Sequence, residues 1–350
     1  MDARNKVDRS LGLSVAPGSD RPGQPSAFIR ALPKAELHLH LEGSIGSDEL
    51  AELITLHGGG PIDRERLARL YKHENFVAFL EAFRRVTHWL RTPEDYELIT
   101  YRLMQKLAKE NVLHAEVYVS VGVVIYFERD FDAIFEGLER GRRRGERDFG
   151  VSLYWIFDAV RHFGVEAAEK VFNKAIELRD RNVVAIGIGG DEARGPAEWF
   201  RDLYARARDN GLRLTAHAGE SVGPESIRAA VEVLGAERIG HGLTAVQDRE
   251  LMSQLAKSQL PVEICLISNL RTQCCAAAKQ HPLKTYCEAG MMVMLNTDDP
   301  AMFETSLCHE YQVAQNTFRF TDEQLRELAM NSFRASFLPE DKKRQFLSRF

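Results

Sequence analysis

Strand-like and helix-like segments alternate along this chain, and few folds accept such a pattern. Ala35 to Ser44, AELHLHLEGS, opens the series; Leu113–Ser120, Val151–Ala159, Val183–Ile188, Leu212–His217, Arg238–His241, Leu260–Ile267 and Met291–Thr297 continue it. Between them the periodicity turns helical, over Phe131–Arg143, Val165–Arg181, Pro196–Asn210, Pro224–Leu234 and Asp248–Ser258. Eight alternations in 350 residues predict an α/β chain folded as a (β/α)8 TIM-type barrel. A doubly wound open sheet is the alternative, but no G-x-G-x-x-G follows the first strand.

Two stretches fall outside the repeat. Ser47 to about Asn111 is a long helical insertion between the first two strands, with Phe76, Phe79, Leu80, Phe83, Val86 and Leu90 spaced as one apolar stripe. Thr92-Pro93-Glu94-Asp95 starts a further helix in it. An insertion placed there builds a lid or wall over a site, or simply fills space. At the other end, Thr321 and Gln324 form a possible capping box for terminal helices. Residues 1–27 are rich in Pro, Gly, Ser and charge and lack an apolar signal core, so they read as a disordered leader before a single domain over 28–350.

Composition narrows the function classes. With 44% apolar and 28% charged residues and a net charge of −5, the chain has ordinary globular character. Its densest basic run, RGRRRGER from Arg140 to Arg147, reads as the solvated end of a helix, so no nucleic-acid partner is expected. No apolar run approaches the ~20 residues of a membrane span. Five cysteines at irregular spacing fit a reducing, cytoplasmic setting better than a disulfide framework.

The polar residues gather where a barrel keeps its chemistry, at the C-terminal ends of strands. On the opening strand, Glu36, His38, His40 and Glu42 share one face and Leu37, Leu39 and Leu41 the other. Strand four ends in Gly-Gly-Asp-Glu (189–192), strand five in His217-Ala218-Gly219-Glu220, strand six in Gly240-His241-Gly242 and strand eight in Asn296-Thr297-Asp298-Asp299-Pro300. A histidine or an Asp-Asp-Pro turn taken alone is as readily structural; joint placement is the informative fact. Three imidazoles and one carboxylate on a divalent ion leave about one positive charge, which brings the pKa of bound water toward ~7. Nitrogen-rich ligation favours one Zn2+ per chain over Mg2+ or Ca2+, with Fe2+, Mn2+ and Co2+ also compatible. A proton donor and an orienting group are then needed, and Glu220, His241 and the second aspartate are the spare candidates.

HLHLEGS, GGDE, HAGE, GHG and NTDDP, in that order between Leu32 and Phe303, resemble the adenosine deaminase family of the amidohydrolase barrels. The resemblance implies His38, His40, His217 and Asp298 as metal ligands. It implies Glu220 as proton donor to purine N1, His241 as the group orienting the hydroxide, Asp299 as a bond to hydroxide and base, and the Gly190 amide against purine N3. A small aminopurine is then the partner, and ammonia and a 6-oxopurine are the products. Glu42 stands where adenosine-specific members carry Asp and resembles adenine deaminases more.

Substrate choice rests on fewer residues. Glu42 is expected to face the pocket mouth and accept a hydrogen bond from a sugar hydroxyl or a free N9–H. The stretch 187–190 leaves room beside the ring, and Arg161 with Asp158 touches substrate or bridges strands. Arg271 is read either as a solvated loop arginine or as a partner for the carboxylate of a modified adenosine, as in aminodeoxyfutalosine deaminases. An adenosine-type nucleoside is the expected substrate, with its carboxylated derivative or free adenine as alternatives. His114-Ala115-Glu116 imitates the H-x-E of cytidine-type deaminases, but no P-C-x-x-C follows. A non-purine amidohydrolase and a non-catalytic, metal-stabilised binding protein are the readings from other classes. His162, His281 and His309 lack ligand spacing, and Cys265 reads as core.

Overall fold

In the computed structural model, which describes residues 24–72 and 75–350, the strands lie in chain order in one parallel eight-stranded sheet. They are β1 (Lys34–His40), β2 (Val112–Val119), β3 (Ser152–Val160), β4 (Val183–Gly189), β5 (Arg213–Ala218), β6 (Arg238–His241), β7 (Val262–Ile264) and β8 (Val293–Leu295). The end of β8 returns to β1: His40 N–H donates to Asp298 O at 2.8 Å and Asp298 N–H to His38 O at 3.0 Å. That return closes the eightfold barrel expected from the alternation.

The helices cover the outside. In order they are α1 (Ala27–Ala31), α2 (Ser47–Leu56), α3 (Arg64–Leu70), α4 (Phe76–Thr87), α5 (Pro93–Lys109), α6 (Val121–Tyr126), α7 (Phe131–Phe149) and α8 (Val165–Leu178). There follow α9 (Arg201–Asp209), α10 (Pro224–Glu232), α11 (Arg249–Ser258), α12 (Leu266–Arg271), α13 (Leu283–Glu288), α14 (Leu307–Phe318), α15 (Asp322–Ala335) and α16 (Glu340–Leu347). Thr92 caps α5 in a capping box with Asp95 and Pro93 at its start, and Thr321 with Gln324 does the same for α15. Residues 1–23 of the expected leader lie outside the described residues, while Ser26 accepts the Ile29 N–H and starts α1.

The alternation of β1 is realised as two apolar contacts on its outer face and polar groups inside. Leu39 and Leu41 join the main core under the helices, and Leu37 packs with Met294 and Phe333. Two predicted strands shorten. The run Leu260–Ile267 is strand only over β7, because the ladder stops at Ile264 and the chain turns into α12; a short apolar run does not distinguish strand from buried helix. Met291–Thr297 is strand only over β8, beyond which the NTDDP residues bond to β1 instead. Asn296 Oδ1 accepts the N–H groups of Leu37 and His38 at 2.8 and 3.1 Å.

Candidate active site and metal centre

The strand ends bring His38 and His40 (β1), His217 (β5), His241 (β6) and Asp298 (after β8) to one buried centre. His40 Nε2 lies 3.2 Å from His217 Nε2 and 3.3 Å from Asp298 Oδ1, and His38 Nε2 lies 3.5 Å from the same oxygen. A tetrahedral ion with bonds of about 2.0–2.1 Å sets its ligand atoms about 3.3 Å apart, so these spacings fit one ion. His38 Nε2 is fully buried and finds no hydrogen-bond partner among the described residues, an orphaned acceptor that a cation would satisfy. His241 and Asp298 both hold φ near +64°, at 63° and 64°, a left-handed conformation uncommon for non-glycine residues and concentrated at functional sites.

The partners behind the imidazoles set which nitrogen is free. His38 Nδ1–H donates to Glu263 Oε2 at 2.7 Å and His217 Nδ1–H to Ile188 O at 2.9 Å, so both present a bare Nε2 inward. Ser268 Oγ–H donates to Asp298 Oδ2 at 2.6 Å and leaves Oδ1 toward the histidines. Burial pushes His40 and His241 down to about 4, so both are neutral near pH 7. Burial, reinforced by the nearby Asp298 and Glu192 carboxylates, pushes Glu220 well above the usual carboxylate range. A carboxyl group shifted in this direction is suited to giving away a proton. Asp299 is raised in the same sense, by burial and by Asp298 beside it.

A cavity of about 360 Å³ opens onto this centre, with His40, His217, Glu220, His241, Asp298 and Asp299 on its floor and Gly189 and Gly190 on one wall. The opposite wall comes from the long insertion: Phe79, Leu80 and Phe83 of α4 line it, so the insertion is a wall over the site. Tyr126, Phe127 and Phe163 complete an aromatic rim, and Arg84 stands on it. No anion among the described residues pairs with the Arg84 guanidinium.

Four residues weighed for substrate contact do not line this cavity. Glu42 is not on the strand with the histidines; it starts a 3-10 turn, and its Oε1 accepts the Ser120 N–H at 3.0 Å behind the pocket lining. Arg161 is a buried strut, donating to Gly195 O at 2.6 Å and His217 O at 2.9 Å, which spends its guanidinium on the backbone of the site. Arg271 lies exposed at the end of α12, 3.5 Å from Glu304, in keeping with the solvated reading, and does not line the cavity. The bareness of Gly187 makes room for protein, since a Cβ there would meet Tyr118, Asp158 and Thr215 at about 3 Å. Asp158, by contrast, does line the cavity.

Several contacts that support the site were not legible in the sequence. Glu263 holds His38 and also pairs with the buried Arg238, which bridges across the barrel to Glu116. A lone glutamate inside an apolar strand was the available signal, since a buried charge needs a partner. Glu192 accepts the N–H groups of Gly219, Glu220 and Ser221, each at 2.8 Å, and so fixes the turn that carries Glu220. Gly43 lets that floor close, because a Cβ there would overlap Asp299.

The sequence model of the family described as Adenosine deaminase matches residues 33–350. The chain is 38% identical over 341 residues to an aminodeoxyfutalosine deaminase of Streptomyces avermitilis, covering 96% of this chain and 92% of that one. The crystal structure of an adenine deaminase from Arthrobacter aurescens superposes with a TM-score of 0.87 at 29% identity, covering 91% of this chain and 98% of the other. An amidohydrolase from Burkholderia ambifaria, crystallised with bound Zn, gives 0.85 at 28% identity over 92% and 90% of the two chains.

Proposed function

The chain belongs to the adenosine deaminase family and is a purine deaminase-type hydrolase built on a metal-dependent barrel, and from that premise we propose that it deaminates an adenosine-type nucleoside bearing an anionic tail. The ion would be held by His38, His40, His217 and Asp298; when bound, it supplies the Lewis acidity that lets water lose a proton near pH 7. The chain's own groups do the rest. Glu220 gives its proton to ring N1, which leaves C6 electron-poor; His241 and Asp299 orient the oxygen that adds there. The C6–N bond then breaks, the oxygen stays as the 6-oxo group, and the amino group leaves as ammonia after gaining a proton. Gly190 lines the cavity wall, and its amide would meet purine N3.

The observation that carries the substrate reading is Arg84. It is a cation without a described anionic partner, placed on the rim of the cavity whose floor holds Glu220. It takes over the role weighed for Arg271. The likeness to an aminodeoxyfutalosine deaminase supports the same substrate class. Free adenine is the other reading, favoured by the likeness to the Arthrobacter enzyme. Ammonia release from adenosine, adenine and aminodeoxyfutalosine separates them. The carboxylated nucleoside should have the highest kcat/KM, and Arg84→Ala should lower it about ten-fold while leaving adenosine unchanged, the worth of one charged hydrogen bond. A preference for adenine would overturn the nucleoside reading.

A further inference from the structure

Four imidazoles, those of His38, His40, His217 and His241, converge on one centre, and distance alone does not separate ligands from the rest. Hydrogen-bond direction does. A backbone N–H can only donate. The Leu283 N–H points at His281 Nδ1 at 3.2 Å, so that nitrogen holds a lone pair and the ring proton sits on Nε2. His281 Nε2–H donates to Asn269 Oδ1 at 3.1 Å, which orients the amide. Asn269 Nδ2–H then faces His241 Nδ1 at 3.2 Å. His241 Nδ1 is an acceptor, and the proton of the neutral ring is on Nε2. That atom faces Glu220 Oε2 at 3.7 Å and Asp298 Oδ2 at 4.0 Å. All three side chains are at most 3% exposed, so water does not compete for these bonds.

His38 and His217 are held in the opposite sense, since each donates from Nδ1 to an oxygen and keeps Nε2 bare. We propose that His281 and Asn269 are positioning residues: a one-way relay started by the Leu283 amide locks His241 as the Nε2–H tautomer. His241 then donates a hydrogen bond into the site and neither ligates the metal nor accepts a proton at that nitrogen. The tautomer stands on geometry alone; its effect on turnover rests on the deaminase reading.

The test uses the full chain, zinc-loaded and labelled with nitrogen-15. Long-range proton–nitrogen correlation spectra report which nitrogen of each imidazole is protonated, and His241 is assigned by the signals lost in His241→Asn. The wild type should show a protonated Nε2 and a bare Nδ1 for His241. Asn269→Asp keeps the size of the side chain but offers only acceptors, so His241 should switch to Nδ1–H. In that variant kcat should fall ~10²-fold, with KM within about two-fold and bound zinc unchanged. His281→Phe should release the amide and lower kcat, and His281→Gln, which can still accept from Leu283 and donate to Asn269, should restore most of it. A wild-type His241 protonated on Nδ1, or an Asn269→Asp variant with wild-type kcat, would overturn the proposal. The wild-type spectrum decides even if a variant does not fold. An Nε2–H spectrum from a protein that releases no ammonia from any 6-aminopurine would overturn the deaminase reading and leave the relay standing.

Discussion

On the proposed reading the chemistry turns on Glu220, because a carboxyl group donates a proton near pH 7 only if its surroundings keep it neutral. Burial does so here, with Asp298 and Glu192 adding repulsion. Glu220→Gln keeps the shape and removes the proton, so it should retain the metal and lose ~10²- to 10⁴-fold in kcat. Elemental analysis and steady-state ammonia release check both halves, and near-native turnover would remove Glu220 from the acid role. Glu263 acts one step further out. It touches no space a substrate could reach, yet it fixes the ring of His38 at 2.7 Å. Glu263→Gln should weaken metal affinity by about 10- to 100-fold. Competition with a chelator of known affinity measures this, and an unchanged affinity would show that His38 holds its orientation without the carboxylate.

At the level of elements, the strands act as rails and the turns after them as tools. The motifs at strand ends were readable because a barrel assigns chemistry to those ends, and β6 begins and ends where its pattern predicts. The turns were less readable. Ser268 and Asn269 reach the site because the chain enters α12 right after β7, which a continuous strand over 260–267 would have prevented. The wall element α4 depends on its own start: Asn75 accepts the Ala78 N–H at 3.0 Å and caps the helix that brings Phe79 to the cavity. Asn75→Ala should cost ~1 kcal/mol locally. Amide exchange over Phe76–Thr87 should then speed up by about five-fold, with strand amides unchanged and KM raised. Faster exchange confined to the barrel strands would contradict this division.

Across the whole molecule, buried carboxyls pull stability in two directions with pH. Burial raises Glu36 and Glu310 from 4.5 to about 8. Between those values the native state keeps protons that the unfolded chain has released, so this contribution is largest at the acid end and falls as pH rises. Glu116 behaves oppositely: burial alone would raise it, but the Arg238 guanidinium and His114 hold it down to about 2. Its contribution is present above about 4.5 and is lost as pH falls toward 2. The thermal midpoint of the chelated protein should therefore peak in weak acid and decline toward pH ~8, as scanning calorimetry would show. Chelation removes the pH dependence that metal binding adds. A midpoint that climbs steadily from weak acid to pH ~8 would show that other groups dominate.

The barrel and the families of side chains at the strand ends followed from the sequence alone, whereas only the structure decided that the insertion walls the mouth rather than filling space. The first two are local matters: a two-residue period, a run of helical spacing, or a motif closing a strand. Direction across a turn is different, because it is decided by groups far away in the chain. Glu42 turned toward Ser120, 78 residues on, once the strand ended before it. Arg161 was drawn to the carbonyls of Gly195 and His217, whose lone pairs only the assembled barrel places beside it. Arg271 stayed in water, and Arg84 of the insertion reached the rim instead. Glu263, 225 residues from His38, became its partner only when strands one and seven faced each other across the barrel interior. Residue types and periods set what the chain can build; only closure of the barrel decides which of those groups meet, because a buried polar atom must take whichever partner the packed neighbours offer.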